Sequence, residues 1–199
     1  MTILAAAAGS GPSIEADRPS PFDGRSSERP PEASGLITLF LAGDVMTGRG
    51  IDQILPHPSN PRLYEPYVKT ASEYAELAER AHGTIAKPAP FSYPWGDALA
   101  EWQRVAPDLR LINLETSITT SDEYWPGKGI HYRMHPRNVS CLKEAQIDCC
   151  ALANNHVLDW GYDGLAETVA TLERAQISTT GAGRTLGQAE RPALLAVPG

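Results

Sequence analysis

Apolar residues along this chain fall into short runs separated by stretches with helical spacing. Leu36-Ile37-Thr38-Leu39-Phe40-Leu41-Ala42 is nearly continuous in apolar residues, the pattern of a strand buried on both faces of a helix-covered sheet. Residues 109–114 and 147–153 repeat that pattern, and 177–180 and 193–197 are weaker versions of it. Helices are predicted between these runs. Thr70 followed by Glu73 has the capping-box pattern, with Tyr74, Leu77 and Ala81 behind it at helical spacing. Pro94, at a favourable first helical position, precedes Trp95, Leu99 and Trp102 on one face. Residues 131–135 predict a short strand. Asn138 is placed to cap a short helix carrying Val139, Leu142 and Ala145, and Asp163 to cap one carrying Leu165, Val169 and Leu172. The Pro-rich segments 55–66 and 87–90 predict loops or extended connectors, and a polar loop runs from 115 to 129. Residues 1–35, rich in Ala, Gly, Ser and Pro, predict a flexible tail, and residues 36–199 one domain. Strands alternating with helices predict an α/β fold with a mostly parallel sheet.

In such sheets ligands bind beyond the carboxyl ends of the strands. Asp44 follows the first run and Glu115 the second. The third runs into Asn154-Asn155-His156-Val157-Leu158-Asp159-Trp160-Gly161. Carboxylate and amide oxygens and an imidazole nitrogen are ligands for Mg, Mn, Fe or Zn. His156 can serve as an acid or as a ligand, and Asp159 can orient it by accepting its second N–H. Each residue alone has an ordinary reading as a helix cap, a solvated carboxylate or a turn residue. Their joint occurrence at strand ends points to one site. Arg49, between Gly48 and Gly50, suits a phosphate or carboxylate in fork geometry, or is a surface Arg. Lys128, Arg133 and His135 offer a second group for an anionic substrate, with a solvated loop as the alternative. Gly181-Ala182-Gly183 has no full dinucleotide fingerprint around it.

Composition narrows the function classes. The chain has 199 residues and a formal charge of −7, without a basic run, which disfavours a general nucleic-acid binder. Cys141, Cys149 and Cys150 form no CxxC pair, and two are adjacent in an apolar run, so buried reduced thiols are expected. The apolar stretch 3–8 is too short to span a bilayer and lacks the preceding Lys or Arg of a secretory signal. With no other candidate transmembrane segment, a cytoplasmic location is expected, with peripheral envelope association as an option.

Three blocks now come together. Gly43-Asp44-Val45-Met46-Thr47-Gly48-Arg49, Asn113-Leu114-Glu115-Thr116 and Asn154 to Gly161 resemble the signature blocks of CapA-type capsule synthesis proteins. That family is associated with poly-gamma-glutamate capsule synthesis or export, and its fold is similar to that of the calcineurin-like metallophosphoesterases. The resemblance covers residue 36 to the C-terminus. It implies a layered α/β/β/α sandwich around one or two divalent metal ions (Mn, Mg, Fe or Zn). It assigns Asp44, Glu115 and Asn155 to the metal, with Glu115 where those enzymes place a bridging Asp. It implies that His156 assists catalysis near the leaving group. The implied activity is a metal-dependent hydrolase acting on a phosphoester. The alternatives are a non-catalytic component binding an anionic polymer such as poly-gamma-glutamate in a capsule assembly, or an inactive truncated form. Two departures stand out: Met46 occupies a position that is His in the metallophosphoesterases, and no His follows His156. The domain is therefore expected to be incomplete at its C-terminal end.

Overall fold

The computed structural model describes residues 36–197; the tail expected over residues 1–35 lies outside the described residues. The main apolar runs become β1 (Leu39–Val45), β2 (Leu109–Leu114), β5 (Cys149–Ala151) and β6 (Ser178–Thr180). All their pairings are parallel, in the order β1-β2-β5-β6. Parallel neighbours need crossover connections. Here α3 (Ala98–Val105) leads into β2, α4 (Ser140–Glu144) into β5 and α5 (Gly161–Arg174) into β6. The fold is α/β with a parallel sheet.

One face of that sheet carries the core. Ile112, Leu114, Cys150 and Leu152 meet Trp102 of α3, Leu142 of α4 and Leu172 of α5. Phe40 packs edge-on against Trp102 at 4.7 Å, and Trp95 lies 5.4 Å from Trp102. The expectation that the first strand is buried on both faces does not hold. Among the described residues β1 is an edge strand, and the side chains alternate with Phe40 and Ala42 inward and Leu39 and Leu41 outward, 50% and 67% exposed. Apolar continuity marks a strand without saying which faces have partners.

Several boundaries also differ from the predicted ones. α2 (Ser72–His82) starts after Ala71, with no side-chain cap; Thr70 instead pairs across an isolated bridge with Arg62. Pro94 opens only a 3-10 turn, Tyr93–Trp95, because the chain turns at Gly96 (φ 51) before α3 begins. α5 begins at Gly161, so Asp163 sits in its first turn rather than at the cap. Residues 193–197 form no strand. The short helices α1 (Arg49–Ile54) and α6 (Leu186–Ala189) have too few turns for a periodic signal. β3 (Ser117–Ile118) and β4 (Arg133–Met134) form a small parallel ribbon, the latter within the short strand predicted at 131–135.

Asn138 is not a helix cap. It is buried, donating to Asp52 Oδ1 (2.8 Å) and to the His57 carbonyl (2.9 Å). Asp52, itself buried, also accepts the N–H of His135 (2.8 Å) and of Ser59 (2.7 Å). A carboxylate out of water needs such donors, and their convergence fastens α1 and the following loop to the segment after β4. Among the described residues no helix is long and apolar enough to cross a membrane.

Position on the sheet sets the cost of a substitution. Ile112→Ala, on the core face, should lower unfolding free energy by about 2–5 kcal/mol in urea titration, whereas Leu41→Ser on the open face should change it by less than about 0.5 kcal/mol. All three cysteines are free and buried, and burial raises their thiols, Cys141 to about 12. A thiol reagent at pH 8 should leave the native protein untouched and label all three cysteines in denaturant.

Candidate functional site

Asp44 reaches the site through a local irregularity. Leu41 pairs with Leu111 and Ala42 with Ile112, but the next partners are Asp44 and Asn113; the register skips Gly43. This extra residue is a bulge, and it turns Asp44 onto the face that carries Leu41. Strict alternation would have pointed it toward the core with Phe40 and Ala42. The Glu115 N–H donates to the Val45 carbonyl (3.0 Å), so Glu115 lies just past the tip of β2 beside the end of β1. Asp44 is exposed and Glu115 half-buried.

The loop after β5 supplies the third part. His156 is buried, with Nδ1 2.7 Å from Asp159 Oδ2. Asp159 is fully buried and also accepts the Tyr132 N–H (2.6 Å) and the Lys128 ammonium. The Tyr132 ring stacks on His156 at 3.9 Å. Arg49 follows in the same stack, its guanidinium carbon 4.8 Å from the ring centroids of both Tyr132 and Tyr74. Its charge is met by buried Glu65 at 2.6 Å, which also accepts the Tyr74 hydroxyl at 2.6 Å. The backbone pays for this placement: Arg49 has φ 49, a left-handed conformation that costs a non-glycine residue about 1–3 kcal/mol. Gly48 before it is needed for space, since a Cβ there would lie 2.9 Å from the Arg133 carbonyl oxygen.

The predicted residues separate into two groups. Asp44, Glu115, His156 and Asp159 lie at or just beyond the tips of adjacent parallel strands, and Arg49 joins them through the aromatic stack. Lys128 turns toward Asp159 and the Asn155 carbonyl. Arg133 is buried, donating to the carbonyls of Ser121 (2.6 Å) and Asn60 (3.0 Å) and to Asp122 (2.8 Å), over the Trp160 ring. Asn155 is exposed, while its neighbour Asn154 makes the internal hydrogen bonds. Asn113, Asn154, Tyr132, Glu65 and Tyr74 are not among the candidate site residues that the sequence points to. The two amides stand inside the quoted blocks, so a signal for them was present. Glu65 and Tyr74 lie in a Pro-rich loop and on a helix, with nothing to link them to the site.

The three residues that the resemblance assigns to a metal, Asp44, Glu115 and Asn155, all offer oxygen. Among the described residues no three His, Cys, Asp or Glu side chains cluster closely enough to cage a metal. Asp44 and Glu115 carry carboxylate oxygens and the exposed Asn155 an amide oxygen, the donor types that a hard cation such as Mg or Mn takes together with water.

Fold and site define an α/β protein whose acidic and imidazole side chains gather at the tips of a parallel sheet. The chain belongs to the bacterial capsule synthesis protein family PGA_cap, whose model matches residues 38–199. It is 51% identical over 162 residues to a probable polyglutamine synthesis accessory protein of Mycobacterium tuberculosis, a match covering 81% of this chain and 43% of that protein. It is 29% identical over 157 residues to the PGA biosynthesis protein CapA of Bacillus subtilis, covering 78% of this chain and 33% of that one. The match to the capsule biosynthesis protein CapA of Bacillus anthracis is 22% over 147 residues, 74% and 28% of the two chains. The chain thus spans less than half the length of these curated relatives.

Burial and the hydrogen bond to Glu65 push the Tyr74 phenol up to about 12. A phenol raised on folding stabilises the folded state fully below its unfolded value near 10, and that contribution disappears as pH rises through the folded value. Ultraviolet titration should therefore show a tyrosine ionising near pH 12, and Tyr74→Phe should remove its contribution.

Proposed function

We propose that this chain carries a metal-dependent phosphoesterase-like site serving capsule or polyglutamate synthesis, set in part of a metallophosphatase-like layered sandwich. The observation that carries this reading is the buried His156–Asp159 pair next to two carboxylates at neighbouring strand tips. Asp44, Glu115 and Asn155 would hold a divalent cation, with Mg or Mn favoured by the all-oxygen donor set. The cation, when bound, supplies Lewis-acid stabilisation of a phosphoryl group and activation of water. His156 donates a proton to the leaving oxygen from Nε2, the ring nitrogen turned away from Asp159. Asp159 fixes the ring and balances the imidazolium charge. Arg49, held between two tyrosines, offers a guanidinium to an anionic substrate. The open outer face of β1 supports the sandwich, because Leu39 and Leu41 present the apolar surface on which a second sheet would pack.

One observation favours a second reading. The relative most similar among those described is named an accessory protein, and a non-catalytic member of a capsule assembly would bind an anionic polymer through Arg49 and Lys128 without metal.

Turnover of p-nitrophenyl phosphate with Mn or Mg separates the two. Metal-dependent hydrolysis is expected, slow in this chain, with His156→Ala lowering kcat by about 100-fold or more and Asp44→Ala abolishing the metal-dependent turnover. Turnover that persists in both variants would sink the phosphoesterase reading. Binding of poly-gamma-glutamate in the presence of chelator, lost on Arg49→Ala, would favour the second.

A further inference from the structure

The side chains of Asn113 and Asn154 connect the two halves of the site. Asn154 Nδ2 lies 2.9 Å from the Leu114 carbonyl oxygen and 3.0 Å from Asn113 Oδ1, and Asn154 Oδ1 lies 3.0 Å from the His156 N–H. Asn113 Nδ2 in turn lies 2.8 Å from Asp44 Oδ1. The direction of every bond follows from the partners. A backbone carbonyl can only accept, so the Asn154 atom facing Leu114 is its NH2 group. A backbone N–H can only donate, so the atom facing His156 is the amide oxygen. Asn154 must then donate to Asn113 Oδ1, which leaves the Asn113 NH2 group to donate to Asp44.

We infer that Asn113 and Asn154 are positioning residues, an amide relay of fixed polarity that sets Asp44 relative to the His156 loop. The relay crosses from the end of β1 through the end of β2 to the loop after β5. It holds Asp44 by Oδ1; Asp44 is exposed, and among the described residues Oδ2 accepts no hydrogen bond. The same amide that reaches Asp44 through Asn113 also holds the backbone of His156. A shift at either end is therefore transmitted to the other. The relay's bearing on a metal rests on the phosphoesterase reading; the geometry of the relay itself does not.

The experiment has two arms. In the first, side-chain and backbone amides are followed by 1H–15N NMR of the metal-free protein on Asp44→Ala. The Asn113 NH2, the Asn154 NH2 and the His156 backbone N–H are expected to shift together, with amides of the core helices unmoved. No change at Asn154 and His156 would overturn the relay. In the second, Mn binding is measured by electron paramagnetic resonance on Asn154→Asp, which keeps shape but replaces the donor, and on Asn113→Leu. The dissociation constant is expected to rise about 10- to 100-fold in each, as for other groups that orient a metal ligand. Wild-type affinity in both variants would overturn the positioning role toward a cation. Absence of Mn binding in the unmutated chain would remove the phosphoesterase reading and leave the relay to be decided by the first arm. If Asn154→Asp fails to fold, Asn113→Leu carries the second arm alone.

Discussion

Asp159 has none of its side-chain surface in water, and a carboxylate in that position has to be surrounded by donors. Three groups answer it: the His156 imidazole, the Tyr132 N–H and the Lys128 ammonium. Two of them come from the long segment between β3 and β4. That segment is therefore drawn down over the loop after β5. Neighbouring bonds confirm the closure, with the Trp125 N–H on the Asp159 carbonyl (2.8 Å) and the Trp160 indole on the Tyr132 carbonyl (3.0 Å). Removing one partner of such a buried charge typically costs about 3–5 kcal/mol, so the pocket around His156 depends on the group being satisfied throughout.

The parallel sheet supplies the second constraint. Parallel strands end at one edge, so residues far apart in the chain share that edge without special design. What needs explanation is the direction each side chain takes. The skipped residue at Gly43 answers that for Asp44, turning it to the outer face beside Asn113. The same outer face bears Leu39 and Leu41, so the apolar surface and the acidic tip are continuous. Any element that covers those leucines would also wall the site on that side.

Much of this was legible in the sequence, and the failures are instructive. The apolar runs located the sheet, and the polar residues at their ends come together along one edge of it. The parallel order followed from strands alternating with helices. The roles of individual polar residues did not follow, because they depend on contacts between distant segments. Asn154 and Asn155 are equivalent in a sequence pattern; only the position of Leu114 and Asn113 decides which amide turns inward. Lys128 and Arg133 read alike as substrate cations, yet Lys128 meets buried Asp159 while Arg133 lies over Trp160 and donates to Asp122. The outward face of β1 is hidden in the sequence for a related reason. Alternation is invisible in a run that is apolar at nearly every position, so its open side leaves no mark.

Asp159 accepts the Lys128 ammonium at Oδ1 and the Tyr132 N–H at Oδ2, so the proposed arrangement has His156 donating from Nδ1 and leaves Nε2 as the nitrogen available for chemistry. That orientation is the point on which the proposed acid rests. Long-range 1H–15N correlation spectra of the His156 ring report it directly. The neutral ring is expected as the Nδ1–H tautomer, changing on Asp159→Ala; a neutral Nε2–H ring, or one indifferent to Asp159, would contradict the arrangement.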